Sequence, residues 1–404
     1  MRNTVVLGTV LALGVTASLE ARADEVTAVP SGEYLMRFRH FEGKDFAPGN
    51  VSNFVRHRAR IGLRLDYDED IAAFIQLQDV RIWGEETDTL RDFSGDGIDA
   101  HQAYLDLTFD EDVRLRVGRQ EIGYLNHRLI GTVGFQEQGR SFDAVRLMIM
   151  ALDRQLALDF FYARTAHALL PPNETATDDL FAFAAKMQIG DNFQPALISV
   201  LDLGSGINRV RSTTGLVLAA EWNYGLKLSL EGYVQAGSSD PDLSIFAWMA
   251  AARARYTFVD SDIAPFIEVF AQLLSGDDNP GDADVKTFDT LFATNHKFYG
   301  EADLFANIPV DTANRGLADF GGALGLNIDD SLTFTLTVHG FTAMEPQGGS
   351  SLYAVEFDNT LTLRPNEHLS FDLNYTLTAP GEALNGSEDR IVEHFFYLTT
   401  AATF

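Results

Sequence analysis

The chain has 404 residues, 46% of them hydrophobic, and a formal net charge of −28 at pH 7. Such an acidic balance argues against nucleic acid as a partner, and the absence of cysteine excludes disulfides and thiolate metal sites. Past the N-terminal segment no apolar run approaches the roughly 18 residues that a spanning helix needs.

The N-terminus reads as a secretory signal. Arg2 is the positive start, Thr4 to Leu19 are mostly apolar, and Ala21-Arg22-Ala23 is an A-x-A cleavage site. Residues 1–23 are therefore expected to be removed, leaving residues 24–404 as one domain of 381 residues with a net charge of −29. An exported chain without a spanning helix is either soluble or a β-barrel.

From residue 33 onward the dominant pattern is alternation, the period of a strand with two different faces. A first strand is predicted near residues 33–41, with Arg37 and Arg39 on one side. In the second, Val55, His57, Ala59, Ile61, Leu63 and Leu65 form one face, and Arg56, Arg58, Arg60 and Arg64 the other. Arg114 and Arg116 take the corresponding side of the fifth strand and Arg146 that of the sixth, followed by Lys186, Arg209, Arg211, Lys227, Arg253 and Arg255. Near the end Leu369, Phe371, Leu373, Tyr375 and Leu377 alternate with Ser370, Asp372, Asn374 and Thr376. Segments of about 9–16 residues are long enough to cross a bilayer at a tilt.

Short and long connections take turns. Short turns are predicted at 68–70, 110–112, 151–154, 190–195, at Gly225, and at 259–263, 329–330 and 364–367. Longer polar segments lie between them, at 84–97, 125–139, 166–178, 238–242, 275–315 and 379–389. This is the signature of a transmembrane antiparallel up-and-down β-barrel with short periplasmic turns and long extracellular loops. Eight hairpins plus a first and a last strand make eighteen strands. Residues 296–305 also resemble a strand, but a nineteenth would break the parity that keeps both termini in the periplasm, so they are assigned to the 275–315 loop. The last strand alternates up to Phe404, similar to the terminal signal by which bacterial outer-membrane barrels are recognised for assembly.

A guanidinium facing lipid at mid-depth costs about 2–4 kcal/mol, so the arginine faces are expected to look inward. Alternation places fifteen bases inward. It also places ten acids there: Asp66, Asp106, Asp159, Asp202, Glu221, Glu231, Glu268, Glu356, Asp358 and Asp372. An acidic protein is thus predicted to have a basic interior, its remaining acid lying mainly in loops. Two readings stay open: the arginines brace the wall by pairing with these acids, or they form a path for anions. Alternation is ambiguous around Asp79 to Arg81, Arg119 to Glu121 and Arg164, where a bulge would flip the register. Loop aspartates Asp92, Asp96 and Asp99, and then Asp277, Asp278, Asp282 and Asp284, are weak candidates for calcium, because their spacing matches no EF-hand loop. Trp83, Tyr224, Tyr256 and Phe258 fit interfacial girdles. No hydrolase, zincin or phosphate-loop motif occurs, so neither catalysis nor a cofactor is expected.

Several stretches resemble the alginate-export family of outer-membrane barrels. They are Gln76-Leu77-Gln78-Asp79-Val80-Arg81, Gly118-Arg119-Gln120-Glu121, Arg128-Leu129-Ile130-Gly131, and Gln138-Gly139-Arg140-Ser141-Phe142-Asp143-Ala144-Val145-Arg146. Ser275-Gly276-Asp277-Asp278, Phe298-Tyr299-Gly300 and Asp303 are similar to a later signature. The resemblance implies an eighteen-stranded barrel with an electropositive pore that passes an anionic polysaccharide or oligosaccharide such as alginate. It also implies pore or constriction roles for Arg81, Arg119, Arg128, Arg140 and Arg146. The well-understood exporter of this family has a long periplasmic turn that plugs the barrel, whereas every turn predicted here is short. The expected partners are an anionic saccharide, outer-membrane lipid, the barrel-assembly machinery and periplasmic export proteins. A general or small-anion porin, and a barrel whose loops serve as receptor, adhesin or enzyme, remain as alternatives.

Overall fold

Strict alternation gives each segment one apolar and one polar side, and a sheet of such strands buries neither side until it closes on itself. In the computed structural model it does close. The structure describes residues 26–68, 70–85, 98–170, 174–205, 208–240, 242–346, 349–384 and 390–404. The expected leader, with its cleavage point after Ala23, and the loop aspartates Asp92 and Asp96 lie outside the described residues.

In chain order the strands are β1 (Val26–Glu42), β2 (Val51–Tyr67), β3 (Ile71–Ile82), β4 (Asp99–Asp110), β5 (Val113–Gln120), β6 (Phe142–Ala151), β7 (Leu156–Leu170), β8 (Glu174–Met187) and β9 (Phe193–Gly204). They continue with β10 (Arg209–Glu221), β11 (Leu226–Asp240), β12 (Leu243–Thr257), β13 (Phe266–Leu274), β14 (Asp284–Val285), β15 (Leu317–Asn327), β16 (Leu332–Thr342), β17 (Leu352–Asn366), β18 (Leu369–Pro380) and β19 (Glu393–Thr403). The two-residue β14 runs parallel to the start of β12 inside a loop. The other eighteen form the wall, each antiparallel to its neighbour in sequence. The cylinder is sealed where β1 pairs with β19, from Glu33 opposite Thr403 to Glu42 opposite His394.

The parity argument holds: residues 296–305 form no wall strand, and β13 pairs directly with β15. All eight short turns join the strands expected of them. Two connections differ from expectation. In place of the longer segments expected at 166–178 and 238–242, β7 runs to Leu170 and β8 begins at Glu174, and β11 runs to Asp240 and β12 begins at Leu243, so most of each stretch extends its hairpin. Their Thr, Ser, Ala and Asp content masks the alternation.

One side of the wall carries large apolar side chains open to the surroundings, Ile61, Leu63 and Leu65 on β2 and Ile75 and Leu77 on β3 among them. In water this would be a large apolar patch in need of a partner; in a bilayer it is the lipid contact. The opposite, inner side meets two loops, residues 121–141 and 275–316, that fold back between the walls. Phe288, Tyr299, Phe305 and Ile308 from the second loop are fully buried, together with Ile122, Leu129 and Ile130 from the first. Backbone bonds tie the loops to each other: Gly131 N–H donates to Phe292 O (2.8 Å), Phe292 N–H to Leu129 O (2.9 Å) and Thr294 N–H to His127 O (3.1 Å).

Candidate functional site

Antiparallel pairing of β1 with β2 sets Arg37 opposite Arg56, and Arg58 and Arg60 one and two pleats further along. Arg39 completes a group of like charges on the inner side of two adjacent strands. Such crowding requires anions, and the 121–141 loop supplies one. Glu137 Oε1 accepts from Arg37 Nη1 (3.0 Å) and Arg39 Nη2 (3.0 Å), and Oε2 lies 3.4 Å from Arg56 Nη1. Arg58 donates to the backbone oxygens of Gln136 (3.3 Å) and Glu137 (3.0 Å) and pairs with Glu33. Arg37 also donates to Phe135 O, and its guanidinium lies 4.1 Å from the Phe135 ring centroid. Burial opposes the charge on Glu137, but Arg39 and Arg37 outweigh it and hold the carboxyl below the usual range.

Beside this cage Arg60 donates to Gln78 Oε1 (2.7 Å) and Glu121 Oε1 (3.1 Å), with His101 Nε2 at 2.8 Å. His101 reaches this position through a bulge, the register between β3 and β4 shifting between Gln76 and Leu77 so that His101 is the extra residue. At Gly118, inside β5, the backbone has φ +126 and a Cβ would stand 2.3 Å from Ala103 O, so only glycine fits at this point of the strand that leads to Glu121. Nearer the other end of the wall, Arg64 and Arg116 share Asp106, Arg64 also meeting Asp66. Arg114, on the same side, has no ion-pair partner among the described residues.

Of the inward arginines on the later strands, all but one also meet a carboxylate. Arg146 pairs with Asp159 (2.5 Å), which also accepts from Tyr124 OH (2.5 Å). Arg209 and Arg211 share Asp202, and Arg211 also reaches the loop residue Asp289. Arg253 pairs with Glu268, whereas Arg255 stacks on Phe266 at 3.4 Å and has no ion-pair partner among the described residues.

Four motif arginines behave differently from one another. Arg128 is buried where the two loops meet β11 and β13; it donates to Gln272 Oε1 (2.7 Å), pairs with Glu231 (3.3 Å) and lies 3.5 Å from the Phe298 centroid. Arg140 donates to the carbonyls of Gly131, Phe292 and Ala293 with no carboxylate in the described set, and burial lowers its pKa to about 10. These two staple the loops together. Arg81 and Arg119 lie on the outer side, a correction to the pore or constriction roles that the resemblance implies for them. Arg81 is opposite His57 and bonds Asp79 (2.9 Å), while Arg119 is opposite Ala103 and Asp143 and lies 3.4 Å from the latter. The register runs unbroken between β2 and β3 at this level, so alternation turns odd-numbered β3 residues away from Gln78 and the cage.

Sequence alternation could not see the loop contributions. Glu137, Glu121 and Asp289 offset part of the basic excess counted from strands alone. His296 sits between Glu301 (3.3 Å) and Asp303 (2.8 Å), stacks on Phe135 at 3.4 Å between centroids, and is held charged up to about 9. Burial opposes that charge and the two carboxylates overcome it. Lys297 and Arg253 border an inner cavity of about 160 Å³. The stretch of wall beyond β19 from β1 is acidic instead: Asp319 on β15 and Glu356 and Asp358 on β17 are buried, and after Leu317 the chain has no lysine and only Arg364 and Arg390 as arginines. At Gly300 (φ +85) a Cβ would stand 2.2 Å from Glu356 Oε1, which accounts for the glycine in the Phe298-Tyr299-Gly300 stretch.

Among the weak metal candidates, Asp278 and Asp282 are drawn to Lys286 at 2.5 and 3.6 Å, and Asp277 accepts from Asn279 N–H (3.0 Å). Among the described residues no cluster of His, Asp or Glu has the geometry to hold a metal ion.

The same barrel occurs in solved outer-membrane proteins. OprD of Pseudomonas aeruginosa is 14% identical with a TM-score of 0.62, over 93% of this chain and 94% of that one. OpdO of Pseudomonas aeruginosa is 12% identical with a TM-score of 0.62 (93% and 97% covered), and OccAB4 of Acinetobacter baumannii 11% identical with a TM-score of 0.61 (93% and 98%). Identities this low establish the fold alone. No curated protein matches the chain in sequence. The family model for alginate export matches residues 31–397, nearly its whole length. The eighteen-stranded wall, its lipid-facing apolar side and this match together make the chain an outer-membrane channel protein that belongs to the alginate export family.

Proposed function

We propose that the channel passes an anionic polysaccharide or oligosaccharide, an alginate-like polymer, along the arginine-bearing inner side of β1–β6. The carrying observation is charge imbalance. The nine guanidiniums of Arg37, Arg39, Arg56, Arg58, Arg60, Arg64, Arg114, Arg116 and Arg146 are matched by six carboxylates: Glu33, Asp66, Asp106, Glu121, Glu137 and Asp159. The acidic wall of β15–β18 flanks this arc across β19, so a polyanion is drawn to the arginine side and repelled from its neighbour. Each contact is weak enough to release: a charge pair at 4 Å is worth about 1 kcal/mol in water and about 4 at an effective dielectric of 20. Repeated weak sites are what conduction requires, and the planar guanidinium fork matches a carboxylate. Arg209, Arg211, Arg253 and Arg255 extend the path, while Arg128, Arg140 and Arg146 hold the loops that narrow it.

Export of the chain by residues 1–23, cleavage after Ala23 and recognition of Phe404 by the barrel-assembly machinery belong to the same reading.

Reversal potentials in planar bilayers test it. The wild type should prefer anions, and changing Arg56, Arg58 and Arg60 together to serine should abolish that preference. Unchanged selectivity in the triple variant would make these arginines braces. Blockade by alginate but not by neutral dextran of similar size separates a saccharide path from a small-anion porin.

A further inference from the structure

The cage around Glu137 has more donors than its resident carboxylate can use. Arg37, Arg39 and Arg56 converge on one carboxylate, and the Nε–H groups of Arg39 and Arg56 are buried with no acceptor among the described residues. Arg39 is 8% exposed. A buried guanidinium donor without an acceptor is costly, so the site is incomplete as Glu137 fills it. A cavity of about 330 Å³, bordered by Arg39, Phe41, Lys44, Asp303 and Glu393, opens beside Arg39, a volume in the range of small-molecule sites. The stem of Glu137 belongs to a loop, not to the wall, and its tip is held chiefly by these same arginines and by Gln78 on the Gln138 carbonyl (3.0 Å).

We infer that Arg37, Arg39, Arg56 and Arg58 form the carboxylate subsite of the channel, that Glu137 occupies it as a tethered substitute for a hexuronate carboxylate, and that a passing uronate exchanges with Glu137. This rests on the anion path proposed above and adds the identity of the group exchanged. The incoming carboxylate takes over the two bonds now made to Glu137 Oε1, and its neighbouring sugar oxygens reach the Nε–H groups that Glu137 leaves unmet. Because the displaced carboxylate stays attached, it returns as the solute leaves, which keeps the site from trapping its cargo.

The test is single-channel blockade of the full-length protein by trigalacturonate, with maltotriose as the neutral probe. A tethered group competes at an effective concentration in the millimolar range, so Glu137→Gln should lower the half-blocking concentration of trigalacturonate roughly tenfold. Glu137→Asp, which withdraws the carboxylate by about one bond length, should lower it roughly threefold and carries the test if the glutamine variant does not fold. A half-blocking concentration that is unchanged or higher in the variants overturns the inference, as does equal blockade by maltotriose. In either case an anion preference of the wild type leaves the proposed path standing; cation preference of the wild type removes both.

Discussion

Arg128 offers the sharpest test of how the loops are held inside the barrel. Its side chain is 3% exposed and joins four elements: the 121–141 loop that carries it, Glu231 on β11, Gln272 on β13, and Phe298 and Tyr299 of the 275–316 loop. Replacing it with alanine leaves the nearly buried Glu231 carboxylate with only Asn126 (2.7 Å) and Tyr233 (2.9 Å) as donors. Breaking a buried pair by removing one partner costs about 3–5 kcal/mol. The wall has its own ladder of backbone bonds, so the loss should fall on the loops. At about 1.4 kcal/mol per decade, local opening becomes about 10²- to 10⁴-fold more frequent. Hydrogen exchange resolved to the peptide level reads this directly at the Gly131, Phe292 and Thr294 amides that cross between the loops. Arg128→Met combined with Glu231→Leu should recover most of the protection, because a buried pair replaced by apolar residues is often neutral. Loop exchange in Arg128→Ala within threefold of the wild type, or faster exchange spread evenly over the strands, would refute the reasoning.

Arg81 and Arg119 lie on the outer side of the wall, so changing both to serine should leave reversal potentials as in the wild type; a loss matching that of the Arg56, Arg58 and Arg60 variant would put them in the path. His296 should titrate near 9 by NMR, since burial alone would lower its value and Asp303 and Glu301 raise it. With the folded value above the unfolded 6.5, its contribution is complete below about pH 6.5 and is lost as pH rises through about 9. Exchange at the loop amides should therefore quicken between pH 7 and 10 beyond the intrinsic rate increase, and His296→Gln should remove that extra dependence.

Much of the architecture is legible from local pattern. A period of two, read along Arg56 to Leu65 or Leu369 to Leu377, states which side meets lipid, because a guanidinium and a leucine cannot exchange faces without cost. The regular exchange of short turns and long connections yields eighteen strands, and parity alone removes residues 296–305 from the wall. Alternation loses its grip where hydrogen bonding departs from it. The bulge that turns His101 toward Arg60 exists only as a shift between two strands, and the Thr- and Ala-rich end of the β7–β8 hairpin has no apolar rhythm to follow.

What the chain determined by itself is the list of charges on each side of the wall, since side-chain direction within a strand follows from backbone geometry one residue at a time. Which charges meet was decided by the tertiary structure. Glu137 lies about a hundred residues from Arg37 and Arg39, and nothing in its neighbours announces a partner; only closure of the wall and the inward folding of two loops bring it there. Arg128 and Arg140 sit in similar motifs to Arg81 and Arg119, yet the first pair staples loops and the second faces outward. The physical reason is that face is a local property of a strand, whereas an ion pair depends on distance through space, and distance is set by how the whole cylinder closes.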